Sequence, residues 1–269
     1  MKKIILSSIF ICLCLAILAG ITLSANAQDL KKVEVNGKYG FVNNKGKFIV
    51  QPQYDVVGNF NEGRAYVIHR TEETKDDGTY IHNHIAYIDK HEKIIIPFYE
   101  GGSYFYNYSS GLVAIQNGDS TYCSYKDKKG RTILSSDYFE KTGWINTMDA
   151  GCNSFHEGLL NVYKYTDDTY KIRISAYMNK KGEIVHSKKF DVPEEVEPLC
   201  DFDSFSEGMA NFRVNWKYGF INKDFEEIIP PIYDFAYDFK DGLSLVEKEG
   251  KWFYIDKQGN FVKEHKQDY

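Results

Sequence analysis

The sequence predicts an all-β protein in which six three-stranded antiparallel units form a propeller-like or open spiral array. The segment NGKYGFVNNKGKFIVQPQYDVVGNFNEGRAYV, from Asn36 to Val67, recurs without a gap as NWKYGFINKDFEEIIPPIYDFAYDFKDGLSLV, from Asn215 to Val246. The chain is also rich in Tyr (21) and Phe (18) and poor in Met (4). This bias favours strands, because aromatic side chains pack well on pleated surfaces. Both observations indicate repeated β units.

Residues 1–27 predict a cleaved secretory signal peptide. Lys2 and Lys3 precede a long apolar stretch, and Ala25, Asn26 and Ala27 have the small-x-small form of a signal-peptidase site. The apolar stretch approaches the roughly 18–20 residues that span a bilayer, so an uncleaved membrane anchor is the alternative. After cleavage we expect residues 28–269 to form one exported domain, either periplasmic or extracellular, including the cell surface, with no stable membrane insertion.

The net charge argues against a nucleic-acid partner. The formal charge is -5, and loss of two lysines with the signal peptide makes it more negative. Binding to a phosphate backbone requires a basic face. We therefore expect no nucleic acid among the partners.

A column of Asn and Asp residues predicts six hairpin turns. Its members are Asn43, Asp89, Asp127, Asn179, Asn222 and Asp256. The Asn or Asp side chain bonds to the backbone ahead of it, and Gly three residues later takes the positive φ that closes a bulged hairpin. Four turns have this glycine. Glu92 and Phe225 replace it in the other two, which we expect to close differently.

An aromatic residue stands two positions before each of these turn residues. The six residues are Phe41, Tyr87, Tyr125, Tyr177, Phe220 and Tyr254. The residue before each of them is small in every case except Phe253. One aromatic ring per unit, beside a small residue that leaves room for a neighbour, suits stacked units that bury a shared core. We expect the six rings to occupy equivalent buried places.

A second motif divides the chain into units. It reads FNEG, YSSG, FHEG, FSEG and FKDG, beginning at Phe60, Tyr108, Phe155, Phe205 and Phe239. Together with the turns it predicts units at about 31–60, 61–108, 109–155, 156–205, 206–239 and 240–269. The longest insertions, 71–83, 135–153 and 187–203, are predicted to be loops. The acids of the motif recur from unit to unit, which indicates turn residues and not a catalytic carboxylate pair.

These repeats resemble the WG-repeat family, whose pattern runs roughly G-K-W-G-[FY]-I-D-x-x-G-x-x-[IV]-[IV]-P-P-x-[FY]-D, followed by F-x-[ED]-G-[LR]-A-x-V. The Trp-Gly pair that names the family is replaced by Tyr39-Gly40, Tyr218-Gly219 and Trp252-Phe253. The resemblance covers essentially all of residues 28–269. It implies a β-rich repeat, with exported bacterial examples, and it implies no catalytic residues.

We expect a non-enzymatic module that binds an envelope or extracellular protein or a glycan. The sequence HEGLL at His156 lacks the second His of a zincin helix, and GGSYF at Gly101 lacks the closing glycine of a nucleophile elbow. An envelope hydrolase that acts on glycans, with its site in the insertion loops, is the alternative. No cofactor or metal is expected. His82 and His84 on one strand face could begin a zinc site, although a third ligand would have to come from across the hairpin.

Aromatic residues outside the repeated column predict a contact surface. The candidates are Tyr99, Tyr104, Tyr106, Tyr108 and, in a later insertion, Trp144. Such rings offer apolar area, and Tyr adds a polar tip, which suits partner binding. In the alternative, these rings pack beneath their loop.

Three cysteines follow the predicted signal peptide: Cys123, Cys152 and Cys200. An odd number excludes complete pairing within one chain. Cys152 and Cys200 each precede a related phrase, SFHEG and SFSEG, so this pair is a candidate disulfide in an exported protein. Three unpaired thiols are the alternative, because sequence spacing does not set the Cα separation that a disulfide needs.

Overall fold

The computed structural model describes residues 30–101, 104–116, 121–148, 151–166, 170, 172–191 and 202–265. The predicted signal peptide and Cys200 lie outside these ranges. Within them, no helix has the length and the apolar character needed to span a bilayer.

In the described part of the chain, six antiparallel sheets of three or four strands follow one another, and each is built from consecutive strands. The first three sheets contain β1 (Lys31–Val35), β2 (Lys38–Val42) and β3 (Phe48–Tyr54); β4 (Val56–Val57), β5 (Arg64–Lys75), β6 (Gly78–Asp89) and β7 (Ile94–Gly101); and β8 (Leu112–Ile115), β9 (Ser124–Asp127) and β10 (Thr132–Leu134). Each sheet is therefore a local meander.

Helix α1 (Ser136–Thr142) and a small ribbon of β11 (Thr147–Met148) and β12 (Gly151–Cys152) separate the third and fourth sheets. The last three sheets contain β13 (Leu159–Tyr165), β14 (Ile172–Asn179) and β15 (Ile184–Asp191); β16 (Met209–Val214), β17 (Lys217–Asn222) and β18 (Glu227–Tyr233); and β19 (Phe235–Ala236), β20 (Ser244–Lys248), β21 (Lys251–Ile255) and β22 (Phe261–Glu264). The all-β prediction is confirmed.

The structure differs from the prediction in strand number and in all three insertions. Of the third insertion, residues 187–191 belong to β15 and residues 192–201 lie outside the described ranges. We call the turns formed by the second sequence motif, such as FNEG and FKDG, the F-x-acid-Gly turns. The second and sixth sheets have four strands, because an additional short strand before this turn, β4 or β19, pairs with the strand that follows the turn. Residues 71–83 do not form a loop, since most of them extend β5 and β6 into one long hairpin. Residues 135–153 contain α1 and the ribbon. Helix α1 begins after Ser135, whose side chain accepts a hydrogen bond from the Tyr138 N–H.

The hairpin turns close in one common way. The Asn43 Oδ1 accepts hydrogen bonds from the backbone N–H groups of Lys45 (2.9 Å) and Lys47 (3.1 Å), and the five equivalent Asn and Asp residues do the same. Glu92 and Phe225 adopt positive φ angles of 63° and 62°, like the glycines that they replace. The expectation that their turns close differently is wrong, because the Asn and Asp side chains hold the backbone whichever residue follows.

The aromatic column packs each sheet against the following turn. Ring centroids lie 4.7 Å apart for Phe41 and Phe60, and 4.8 Å apart for Phe220 and Phe239. The first five rings of the column are at most 1% exposed, whereas Tyr254 in the sixth sheet is only half-buried. The expected equivalence therefore holds for five of the six rings.

The small residue before the ring is required by close backbone contact. A Cβ atom on Gly40 would lie 2.4 Å from the Val50 carbonyl oxygen, and one on Gly219 would lie 2.5 Å from that of Ile229. Any side chain there would push β3 or β18 away from its neighbouring strand.

Five apolar cores connect the six sheets, each shared by two consecutive sheets. In the residues described, no hydrogen bond, ion pair or ring contact joins the first sheet to the sixth. Each sheet thus depends on its sequence neighbours, as in other repeat arrays. The outer faces of the first and sixth sheets are the two ends of this succession.

Candidate functional site

The predicted contact surface at Tyr99–Tyr108 is largely part of the core. Tyr108 is 3% exposed and donates a hydrogen bond to the Asp127 carbonyl at 3.0 Å. Tyr106 accepts one from the Cys152 N–H at 2.5 Å, and burial raises the pKa of the half-buried Tyr99. Tyr104 alone is exposed, at 50%. The prediction of exposed contact residues is wrong for Tyr108. Its ring packs on Tyr87 in the core between the second and third sheets.

Trp144 is also a core residue. It is 9% exposed, and the Lys164 ammonium lies 4.6 Å from its ring centroid. The insertion that carries it folds back on the third sheet, where Asn146 exchanges two hydrogen bonds with the backbone of Cys123. Packing beneath the loop, the alternative for these rings, is what the structure has for Tyr108 and Trp144 but not for Tyr104.

The disulfide joins Cys123 to Cys152, with Cα atoms 5.9 Å apart. The predicted Cys152–Cys200 pair is therefore wrong. Both bonded residues lie in the core between the third and fourth sheets, because β12 packs there beside the entry to β9. Sequence similarity between the phrases that follow Cys152 and Cys200 carried no information about this contact.

His82 and His84 contact different partners. His82 lies 2.7 Å from the Glu100 carboxylate and 3.3 Å from that of Glu73, and the contact with Glu100 contributes most to raising the His82 pKa. His84 contacts the Thr71 hydroxyl at 3.0 Å. In the described ranges no group of three or more His, Cys, Asp or Glu side chains could hold a metal ion.

The turn acids connect consecutive turns. The Gly111 N–H donates to Glu62 at 2.8 Å, the Gly208 N–H to Glu157 at 3.0 Å, and the Gly242 N–H to Glu207 at 2.9 Å. At the junction where serine replaces glutamate, the Gly158 N–H donates to Ser110 at 2.9 Å. These acids thus have the structural role that their repetition indicates.

A lysine from the next sheet's hairpin turn also reaches each glutamate. Lys128, Lys223 and Lys257 pair with Glu62, Glu157 and Glu207 at 2.9, 2.9 and 3.4 Å. Burial acts to raise the pKa of Glu157, but hydrogen bonds from Lys223 and Gly208 outweigh it and hold that pKa below its usual value. The carboxylates are therefore charged acceptors at neutral pH.

An exposed group of aromatic residues lies on the sixth sheet, which the sequence analysis did not single out. We call Phe235, Tyr237 and Trp252 the aromatic cluster. Phe235 is 37% exposed and Tyr237 is 53% exposed. The Phe235 ring lies 5.0 Å from Tyr237 and 5.8 Å from Trp252, with the ring planes inclined at 64° and 49°.

Strand register explains why these rings share one face. Phe235 pairs with Glu247 and Glu247 with Trp252, so the three side chains form a row across β19, β20 and β21. Tyr254, two residues after Trp252, points to the same side. We call the face formed by the aromatic cluster, Glu247 and Tyr254 the terminal face.

The equivalent face of the second sheet is covered. Register places Val56, Ile68 and Ile85 where the sixth sheet has Phe235, Glu247 and Trp252. Ile68 and Ile85 are at most 1% exposed, and all three belong to the core shared with the third sheet. The sixth sheet has no following sheet among the described residues, so its rings remain accessible.

A pocket of about 570 Å³ adjoins this sheet at its outer edge. Its lining comes from both strands of the β21–β22 hairpin and from the residues that flank it: Gly250, Lys251, Trp252, Phe253, Phe261, Glu264 and His265. Phe261 is 61% exposed. Apolar rings with a few charged groups at the rim are typical of binding sites.

Comparison with protein families identifies two matching segments. Residues 39–69 and 218–252 match the family model described as WG containing repeat. The first segment runs from the first sheet into the second, and the second segment runs from the fifth sheet into the sixth. Comparison with curated protein sequences gives no match.

Among solved structures, the fold is similar to one titled "Crystal structure of the eukaryotic initiation factor", with a TM-score of 0.53 and 9% identity over 88% of this chain and 62% of that chain. Weaker similarities are to an acylaminoacyl peptidase of Pyrococcus horikoshii (TM-score 0.41, 11% identity, 75% of this chain, 38% of that chain) and to streptogramin B lyase (0.34, 11%, 90%, 84%). This chain thus spans less than two thirds of the first two structures. The first similarity shows a shared fold and no more.

Proposed function

We propose that this WG-repeat protein is an exported, non-enzymatic module that binds another protein through the terminal face. The observation that carries the proposal is the exposure of the aromatic cluster on a face whose second-sheet counterpart is buried. Aromatic side chains dominate binding energy at protein interfaces because they bury a large area at a small cost in side-chain entropy. An uncovered row of rings is therefore the surface best suited to a partner.

A protein partner fits the ring geometry better than a sugar does. The rings of the aromatic cluster are inclined to one another by 42° to 64°, which makes a ridged surface and not a flat platform. Ridges of this kind interlock with side chains of a partner. Glu247, in the same row as Phe235 and Trp252, adds a polar group that favours a partner with a matching donor.

Two observations support export. The Cys123–Cys152 disulfide is of the kind that persists in oxidising compartments, and residues 1–27 have the pattern of a signal peptide. The non-enzymatic assignment is supported by the turn acids, whose carboxylates are engaged by backbone N–H groups and lysines.

Binding is tested by replacing rings of the aromatic cluster. Phe235→Ala/Tyr237→Ala should lower capture of envelope proteins by the immobilised chain at least tenfold, because both rings would lose their contact area. Tyr80→Ala, which removes a 42% exposed ring at the tip of the β5–β6 hairpin, is the matched control. Thermal unfolding monitors the fold of each variant.

Equal capture by the double variant and the control would refute the assignment of this face. If the wild-type chain binds glycans on an array and captures no protein, the ligand is a glycan and the proposal of a protein partner is wrong. Export is tested separately by fusing residues 1–60 to a reporter phosphatase that is active only after forming its own disulfides. A cytoplasmic, inactive reporter would contradict export.

A further inference from the structure

The hairpin turn between β16 and β17 differs from the equivalent turns of the first and sixth sheets. Each of these turns has two consecutive residues of positive φ, a geometry for which Asn-Gly is a preferred pair. The first and sixth sheets have glycine at the second position, Gly37 and Gly250, both with a φ of 75°. The fifth sheet has Trp216 there, with a φ of 66°. A bulky residue is strained in this left-handed region.

Burial of the Trp216 ring offsets little of this strain. The side chain is 54% exposed, so most of its apolar area gains nothing from the fold. Strained residues of this kind are concentrated at sites that bind ligands or partners. Trp216 is therefore a candidate contact residue.

An arginine packs against the Trp216 ring. The Arg213 guanidinium carbon lies 5.0 Å from the ring centroid of Trp216 and 5.8 Å from that of Tyr218. Tyr218 is the cross-strand partner of Arg213, and both side chains are half-buried. We call Arg213, Trp216 and Tyr218 the arginine stack. Both distances are within the range of cation–π contacts.

The equivalent hairpins have the opposite charge at the position of Arg213. Register pairs Glu34 with Tyr39 in the first sheet and Glu247 with Trp252 in the sixth. In the fifth sheet an arginine thus stands in the place of the acid, and a tryptophan stands in the place of the turn glycine. The two differences meet in one contact, which indicates that the arginine stack acts as a unit.

The N–H donors of Arg213 are not used within the described part of the chain, where its guanidinium makes no hydrogen bond and no ion pair. The nearby acid Asp234 pairs with Lys217 and accepts a hydrogen bond from the Glu249 N–H at 2.8 Å. Cation–π contacts leave the guanidinium donors available. Their planar fork matches the two oxygens of a carboxylate.

We infer that the arginine stack binds a carboxylate, presented by an acidic side chain of the partner protein. This inference rests on the proposed function and adds one group of the partner's chemistry. One arginine matches the single charge of a carboxylate better than a phosphate group, which carries about 1.5 to 2 negative charges at neutral pH. The other cation of this hairpin, Lys217, is already paired.

Continuity with the aromatic cluster favours a protein as the source of the carboxylate. The Tyr218 ring lies 5.5 Å from the Phe235 ring, so the arginine stack and the aromatic cluster adjoin across the fifth and sixth sheets. A partner segment with apolar side chains and one acid would contact both. Charge and ring contacts are commonly combined in this way at protein interfaces, where Arg, Trp and Tyr are enriched.

The test titrates the full chain with acetyl-tetraglutamate amide and follows the NMR signal of the Trp216 indole N–H. We expect this signal to shift with the glutamate peptide and not with the matching glutamine peptide. Arg213→Gln should weaken binding of the glutamate peptide at least tenfold. Arg70→Gln removes the same charge from an exposed arginine, whose Nε bonds to Asn83, and should leave the binding unchanged.

Trp216→Gly separates binding from folding. Glycine is the residue of the equivalent turns, so the midpoint of thermal unfolding should not fall. Binding of the glutamate peptide, followed by the Arg213 Nε–H signal, should weaken at least fivefold because the arginine loses one ring. A lower midpoint with unchanged peptide binding would give the Trp216 ring a purely structural role and overturn the inference.

Further results would also overturn it. Equal weakening by Arg213→Gln and Arg70→Gln would show attraction by net charge alone, and binding of trigalacturonate but not of the glutamate peptide would make the ligand an acidic glycan. Capture of envelope proteins that depends on Phe235 and Tyr237 but not on Arg213 would leave the proposed function standing and refute only this inference. Capture that depends on Arg213 but not on those two rings would do the reverse.

Discussion

At the residue scale, two hairpin turns have a residue other than glycine at the position of positive φ. They allow the energetic cost of that backbone conformation to be compared with the stabilisation that the side chain provides. Glu92 and Phe225 adopt the left-handed conformation that favours glycine, yet they differ in what their side chains contact. Glu92 accepts one exposed hydrogen bond from Gln53 at 2.6 Å. Phe225 stacks on His186, with centroids 4.4 Å apart, and also packs against Tyr177.

Glycine substitutions at these two turns should therefore have opposite effects. Glu92→Gly should raise the free energy of unfolding by about 0.5–1 kcal/mol, because glycine relieves the left-handed strain and loses only an exposed contact. Phe225→Gly should lower it by about 1–2 kcal/mol, because the ring packing outweighs the same relief. Urea unfolding measures both, and a change of the same sign in the two variants would contradict this reasoning.

At the element scale, the F-x-acid-Gly turns are the units that hold consecutive sheets together. The acid and the glycine both have positive φ, as in Glu157 (48°) and Gly158 (88°), which fits a two-residue hairpin turn. The acid side chain is thereby directed at the next turn and not back along its own strand. One short motif thus closes a hairpin and bonds to its neighbour.

The Glu157 junction should depend on pH. Because the folded-state pKa of Glu157 lies below its unfolded value, its contribution is present above that unfolded value, 4.5, and is lost as pH falls through the folded pKa. Glu157→Gln keeps an acceptor for Gly208 but loses the charge opposite Lys223. The variant should be less stable than the wild type at pH 7, by less than about 1 kcal/mol since the pair is partly exposed, and equal to it near pH 3.

Ser110 provides the matched control, because it makes the equivalent bond without a titratable group. The effect of Ser110→Ala should be the same at both pH values. Urea unfolding at pH 3, 5 and 7 measures each difference. A Glu157→Gln effect that does not change with pH would show that the charge of Glu157 contributes nothing.

At the scale of the whole molecule, stability depends on position along the array. Every internal sheet has a sheet on each side, whereas no following sheet covers the terminal face of the sixth sheet among the residues described. Phe235 at the edge of this face contacts Tyr218 of the fifth sheet, with ring centroids 5.5 Å apart. Tyr125 and Tyr254 hold the same column position, but Tyr125 is 0% exposed and bonded to the Asn153 carbonyl, while Tyr254 is half-buried.

Alanine substitutions at Tyr125 and Tyr254 should lower the free energy of unfolding by different amounts, because one residue lies in the middle of the array and the other at its end. Tyr125→Ala should cost about 3–5 kcal/mol, through a cavity between the third and fourth sheets and the loss of a buried hydrogen bond. Tyr254→Ala should cost about 1 kcal/mol, because little apolar area becomes exposed. Equal losses in urea unfolding would show that the Tyr254 ring is covered in solution.

The sequence by itself determined the repeated frame of this protein. Asn and Asp turns, the aromatic column and the F-x-acid-Gly motif act over a few residues, and periodicity reports such local constraints directly. The six sheets, the buried rings from Phe41 to Phe220 and the structural role of the turn acids could be predicted for this reason. Only the tertiary structure decided which surfaces remain open.

Contacts between segments that are distant in sequence determined the disulfide, the burial of Tyr108 and the exposure of the aromatic cluster. Cys123 meets Cys152 because the 135–153 insertion folds back onto the third sheet, and Tyr108 is buried because the next strand places it beside Tyr87. The aromatic cluster escaped the sequence analysis because Phe235 and Trp252 occupy positions that are buried in an internal sheet. Their exposure follows from being last in the array, which is a property of the assembled fold and not of any residue pattern.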